Sequence, residues 1–180
     1  MNVLWYGAKN RLDKASKVWS GYADYIISIG DPLSDPPPFS WRQHPHSKKL
    51  RLEFYDFDNP VDGGPTKADV EKLIAFSQAR DNKGYALVHC QAGISRSSAA
   101  SIILESIGKD EKQAKISIGR FLTSHPTIHP NFRMLILADE ITNNAYRFVR
   151  AYLEHENQFI ASFRKRYRFD DLYKKLRKTA

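Results

Sequence analysis

An α/β fold is what this sequence predicts: a single domain with a central, mainly parallel sheet of about four to five strands flanked by helices, followed by a helical basic C-terminal extension. Three observations carry that expectation. Short runs rich in β-branched and aromatic residues alternate with stretches of helical periodicity. The chain has 180 residues, which suits one domain with a short appendage and allows a sizeable core without covalent staples. Its hydrophobic content of 42% and charged content of 27% are those of a folded globular chain.

The elements follow in order. Val3–Tyr6 reads as a short buried strand and Asp13–Trp19 as a short helix. Tyr25–Ile29 is a second strand, stopped by Gly30. Residues 31–46 hold five of the nine prolines (Pro32, Pro36, Pro37, Pro38, Pro45), so a long loop is expected there. Leu50, Leu52 and Phe54 alternate with Arg51, Glu53 and Tyr55, the pattern of a half-buried strand. Pro60, Gly63, Gly64 and Pro65 then interrupt the chain. Thr66 with Asp69 opens a helix whose apolar face is Val70, Leu73 and Ile74, with Ser77 in the same register. Tyr85–His89 is the next strand, and a helix from about Ser97 to Ile107 ends at Gly108. Asp110 with Gln113 starts another, with Ala114, Ile118, Phe121 and Leu122 on one face. Pro126 and Pro130 bracket a loop, and Met134, Leu137, Ala138 and Ile141 line the helix after it. From Ala145 to Tyr167 the pattern is again helical but more polar. The domain is therefore assigned to residues 1–145 and the extension to residues 146–180.

Composition excludes several classes. The one cysteine rules out an internal disulfide framework and any zinc site that needs two or four cysteines. The longest apolar run near the start, Val3–Tyr6, is followed by Lys9 and Arg11, so neither a membrane span nor a signal peptide is expected. A cytoplasmic protein is the corresponding expectation. The formal charge of +8 is uneven, since residues 164–180 contribute +6 of it. With only +2 on the rest, no nucleic-acid partner is predicted.

One segment carries chemistry. His89-Cys90-Gln91-Ala92-Gly93-Ile94-Ser95-Arg96-Ser97 lies at the turn from a strand into a helix. Successive backbone N–H groups in such a turn form an anion nest, and a helix N-terminus adds its own open N–H groups. Gly93 lets the chain bend where a side chain would obstruct it. Arg96 offers a planar fork for two phosphate oxygens. Cys90 sits at the floor of this positive cup, whose field favours the thiolate. A thiolate facing a bound phosphate is a nucleophile in line for phosphoryl transfer.

The segment resembles the signature loop, H-C-x₅-R-[S/T], of the cysteine-dependent protein tyrosine phosphatases. The short chain is similar to their dual-specificity branch, of the compact bacterial and phage type. Pro130-Asn131-Phe132-Arg133-Met134 resembles the P-N-x-x-[F/M] segment that follows the loop there, although Leu137 stands where many members have Gln. The likeness spans roughly residues 1–142 in architecture and is specific at residues 89–97.

That resemblance implies roles. Cys90 would form a phosphocysteine. Arg96 and the N–H groups of Gln91, Ala92, Gly93, Ile94, Ser95 and Arg96 would hold the phosphoryl oxygens. Ser97 would donate a hydrogen bond to the departing thiolate, or cap the helix, or both. His89 would orient the loop. A general acid is needed for the leaving oxygen, and in the family it is an Asp roughly 30 residues before the nucleophile. Asp56, Asp58 and Asp62 are the candidates, and Asp56 is favoured because it lies at the strand end. Each is also a natural turn former beside Pro60 and Gly63. The substrate would be a phosphorylated protein or a small phosphomonoester, with phosphotyrosine and phosphoserine/threonine as the default. The loop lacks the Lys that inositol-phosphate relatives tend to carry. No metal and no cofactor are expected, and His125 and His129 are assigned to structure.

Two other readings compete. One is a catalytically weak phosphate-binding module, disfavoured because Cys90, Arg96, Ser97 and a candidate Asp are all present. The other is a rhodanese-like sulfur transferase, disfavoured by Gly93 and the Arg96-Ser97 pair. In the tail, Phe169, Leu172, Tyr173 and Leu176 fall at helical spacing among basic residues. This suits a helix packed on the body with a solvated basic face, or one that meets an acidic partner or an anionic membrane surface.

Overall fold

The computed structural model describes residues 2–19, 22–34, 36–37, 44, 46–78, 84–143 and 145–155. Four strands are described: β1 (Asn2–Ala8), β2 (Tyr25–Gly30), β3 (Lys48–Glu53) and β4 (Tyr85–Cys90). They form one sheet in the order β1-β4-β2-β3, and every neighbouring pair is parallel. Six helices accompany them: α1 (Lys9–Val18), α2 (Lys67–Gln78), α3 (Arg96–Ser106), α4 (Glu111–Ser124), α5 (Phe132–Thr142) and α6 (Arg147–His155). The architecture is the mixed α/β fold that the alternation of strand and helix patterns predicts.

Burial explains which strand sits where. β2 and β4 are central, so Tyr25, Ile26, Ile27 and Ile29 and the Ala86–Cys90 run are buried. β3 is an edge strand, with Leu52 buried, Lys48 and Glu53 exposed and the residues between Lys48 and Leu52 half-buried. Helix α3 is buried along nearly its whole length because α2, α4 and α5 pack around it and the sheet lies against it. Its small residues Ser97, Ser98, Ala99, Ala100 and Ser101 permit that close approach.

Local signals place most helix ends. Thr66 and Asp69 exchange side-chain hydrogen bonds at the start of α2, and Asp110 accepts the Gln113 N–H at the start of α4. Helix α1 starts earlier than its periodicity suggests, at Lys9 rather than Asp13, with no side-chain cap. It follows β1 directly because the Lys9 N–H reaches Gln91 O at 3.4 Å, a tie made across the fold and invisible in local sequence.

Helix α6 begins the segment that sequence alone assigns to the extension, yet Phe148, Val149, Ala151 and Tyr152 are buried against α4 and α5. Its N-terminus is capped from α5: buried Asp139 accepts the N–H groups of Phe148 and Val149 at 3.0 Å each. The rest of the basic tail, including Phe169, Leu172, Tyr173 and Leu176, lies outside the described residues, as do 38–43 and 45 of the proline-rich loop.

Burial pushes the Asp139 carboxyl up from 3.8 to about 6, against the pull of those two N–H groups. A raised folded-state value means that folding favours the protonated acid. Its contribution is therefore full below about pH 4 and is lost as pH rises through 6. Asp139→Asn, which cannot ionise, is expected to gain on the wild type over that window by about 2 kcal/mol. Urea unfolding of both proteins at pH 4.5 and 7.5 checks this, and a stability difference independent of pH would exclude it.

Candidate active site

All four strands run the same way, so their C-terminal ends meet along one edge of the sheet, where an open α/β fold places its ligand. Cys90 is the last residue of central β4, and its side chain is 1% exposed. From there the chain turns through residues 91–95 into α3.

The loop is held by its outside. Gln91 O accepts from Lys9 N, Ile94 O from His129 N at 3.1 Å, and Ser95 O from Asn131 N at 3.2 Å. The Ser98 hydroxyl also bonds to Ile94 O and Ser95 O. Ala92 pairs with Ala8 at the end of β1. These bonds engage the carbonyls of Gln91, Ile94 and Ser95 with α1 and the segment before α5. The Gly93 N–H lies 3.2 Å from Cys90 Sγ. Gly93 has φ +74°, and a Cβ there would fall 2.2 Å from Ala8 N, so only glycine fits.

The loop's own side chains divide in two groups. His89 is fully buried in β4 beneath the loop. Ser97 lies in the first turn of α3, buried, with Oγ 3.3 Å from Cys90 Sγ. It is not the helix cap. Helix α3 starts at Arg96, and Ser95 occupies the cap position without a side-chain cap bond. By contrast, Gln91, Ala92 and Ile94 face outward.

Arg96 is 4% exposed and aimed by two partners. Its Nη1 donates to Asp31 Oδ1 at 2.6 Å and to Phe54 O at 2.7 Å. Its Nε has no hydrogen-bond partner among the described residues. One nitrogen of the fork is thus anchored by two acceptors, from the ends of β2 and β3. Asp31 escapes sequence reasoning because it sits 65 residues from Arg96. The available signal is an acidic residue directly after a strand that neighbours the nucleophile strand.

The three carboxylates after β3 separate cleanly. Asp56 Oδ1 accepts from Ser95 Oγ at 2.6 Å and from Asn131 Nδ2 at 2.9 Å, which ties it to the loop. Asp58 Oδ1 instead accepts the Arg133 N–H at 3.3 Å, at the start of α5. Asp62 lies in the 3-10 turn Pro60–Asp62 and is exposed. Asn131 has no role assignable from its motif alone. The fold makes it a brace, with Oδ1 accepting from Met134 N, Nδ2 on Asp56 and its own N–H on Ser95 O. His125 Nδ1 meets Phe121 O at 2.8 Å, and its ring packs edge-on against Tyr6.

No protein-family model and no curated protein matches the sequence. Solved structures do match. The chain is similar to DUSP15 at 22% identity, with 83% of this chain and 88% of that one covered and a TM-score of 0.56. Human DUSP28 is similar at 17%, covering 76% and 86%, with a TM-score of 0.54. PTPMT1 in complex with PI(5)P is similar at 21%, covering 80% and 94%, with a TM-score of 0.53. Identities this low speak for the fold, and the fold is that of the cysteine-dependent dual-specificity and protein tyrosine phosphatases.

Proposed function

We propose that the protein is a phosphatase that hydrolyses phosphotyrosine, and phosphoserine or phosphothreonine monoesters, through a phosphocysteine on Cys90. The observation that carries this reading is the loop itself: Cys90 Sγ at 3.2 Å from the Gly93 N–H and 3.3 Å from Ser97 Oγ, in a turn that leads into buried Arg96, which is anchored through Nη1. In the first step the Cys90 thiolate attacks phosphorus. The S–P bond forms as the ester P–O bond breaks, and Asp56 delivers its proton to the leaving oxygen. In the second step Asp56 takes a proton from water, whose oxygen attacks phosphorus. The S–P bond breaks, inorganic phosphate departs, and the Ser97 hydroxyl donates to the returning thiolate. Arg96 and the loop N–H groups stabilise the equatorial oxygens in both transition states.

Substrate class follows from the rim. The outward residues Gln91, Ala92 and Ile94, together with Ser95, are uncharged, and Ile94 is 43% exposed. Such a rim suits the apolar stem of a phosphorylated side chain better than the several phosphates of an inositol lipid headgroup, the ligand type held by PTPMT1.

The direct test is release of p-nitrophenol from p-nitrophenyl phosphate in the presence of a chelator, with inhibition by vanadate. Absence of turnover by the full chain would reject the reading. For the acid, Asp56→Asn is expected to lower kcat by about 10²-fold on phenyl phosphate, a poor leaving group, and by much less on p-nitrophenyl phosphate. If Asp58→Asn shows that leaving-group dependence and Asp56→Asn does not, the assignment is wrong.

A further inference from the structure

Helix α6 runs alongside α4 in the same direction. Arg147 Nη1 donates to Lys109 O at 2.7 Å, Arg150 Nη2 lies 3.6 Å from Glu111 Oε1, and Glu154 pairs with Lys115. Each turn of α6 is thus matched by a turn of α4, at a separation of 38 or 39 residues in the chain. Beyond Lys115, α4 and its cap His125 extend about 15 Å further. At that end lies a cavity of about 770 Å³, lined by Tyr6, Phe121, His125 and the loop residues 91–94, among others. The three rings stack on one another, with centroids 4.9, 4.7 and 4.9 Å apart. The lining includes no carboxylate, and its fixed charge is Arg11, exposed in the first turn of α1.

We propose that the occupant of this cavity is the chain's own segment 156–163, which follows α6 outside the described residues, with Phe159 and Phe163 seated on the aromatic surface. Position selects this segment first. The separation between α4 and α6, carried forward, sets Phe159 within a residue or two of the level of Phe121 and Phe163 within one of His125. Its pattern is the second reason. Phe159 and Phe163 extend the spacing of buried Phe148 and Tyr152 in steps of four, seven and four residues, one stripe of a helix. Its charge is the third. Segment 156–163 has one charged group, Glu156, opposite in sign to Arg11, whereas residues 164–180 hold eight basic groups and two acidic ones. Arg11 repels that basic stretch and leaves the preceding eight residues as the part suited to the cavity. The occupant is tethered to α6, so its docking is intramolecular and loses little translational freedom. Because residues 91–94 form one wall of the cavity, the docked segment braces the loop between Cys90 and Arg96. The inference concerns the support of that loop and stands apart from the reaction proposed for it.

The test is amide hydrogen exchange on the full chain, comparing the wild type with a double variant that carries Phe159→Ser and Phe163→Ser. Residues 91–94 and 121–125 are expected to exchange about 10-fold faster in the variant. Strand β2 and helix α2, remote from the cavity, are expected to keep their wild-type rates. Phe169→Ser, in the basic stretch, is expected to leave every rate unchanged. Wild-type rates are expected to be independent of protein concentration, as an occupant from the same chain requires. Unchanged exchange at 91–94 and 121–125 in the double variant overturns the proposal. So does acceleration that spreads through β2 and α2, which would place the two phenylalanines in the general core. The same local effect from Phe169→Ser would assign the cavity to another part of the chain, and protection lost on dilution would assign it to a second copy; either result overturns the proposal.

Discussion

Cys90→Ser is expected to lower kcat on p-nitrophenyl phosphate by about 10⁴-fold or more, without loss of phosphate-ester binding. The physical basis is the division of labour in the loop. In the proposed mechanism the N–H groups and Arg96 bind the phosphoryl oxygens, and a serine at position 90 leaves those groups in the chain. In that scheme sulfur is the nucleophile, and a serine hydroxyl in its place is not ionised at neutral pH. Nothing nearby replaces that function: Ser97 Oγ is 3.3 Å away and already belongs to the same hydrogen-bond set, and the chain has no second cysteine. Initial rates of both proteins, with isothermal titration of a phosphotyrosine peptide into the variant, decide the matter. Equal rates would mean that Cys90 is not the nucleophile. A variant that is inactive and does not bind would mean that the thiol holds the cup together.

Arg96→Lys carries the second large effect, a fall in kcat of about 10³-fold, or about 4 kcal/mol of transition-state stabilisation. The charge is kept, so Coulomb attraction alone would predict a small loss. What is removed is geometry. The guanidinium uses Nη1 on Asp31 and Phe54 O and still presents Nε elsewhere, whereas an ammonium has one nitrogen for both tasks. In the 4%-exposed site a lysine that satisfies Asp31 is drawn away from the phosphoryl group. KM is expected to move much less than kcat, because the lost contacts strengthen in the transition state. A lysine variant within 10-fold of the wild type would show that the loop N–H groups carry the stabilisation alone.

The remaining site residues gain meaning from these two. Asp31, Asn131 and the Ser95 hydroxyl touch no reacting atom in the scheme above; they aim the groups that do. Asn131 joins Asp56 and the first turn of α5 through its side chain and the loop carbonyl of Ser95 through its backbone N–H, so it couples Asp56 to the loop. The leucine at 137 in place of the common Gln leaves that brace intact, because the bonds run through Asn131 itself.

Local chemistry was legible in the sequence wherever neighbours in the chain are neighbours in space. The strand-loop-helix at 85–106 is such a case: its anion nest, its glycine and its arginine arise within nine residues of each other. The caps at Asp69 and Asp110, and the alternation of Leu50, Leu52 and Phe54, are local in the same sense. The parallel arrangement of the sheet follows from strands separated by long connections. Choices among equivalent residues are another matter. Asp56, Asp58 and Asp62 have nearly the same local surroundings, and only packing across 39 and 75 residues ties the first to Ser95 and Asn131 and turns the second to Arg133. The Asp31 contact with Arg96 and the Asp139 cap on α6 belong to the same class. Sequence by itself determined the loop proposed to react, because that loop is made from consecutive residues. The tertiary structure alone decided how its groups are aimed, because hydrogen bonds that act across the fold leave no periodicity or spacing in the chain.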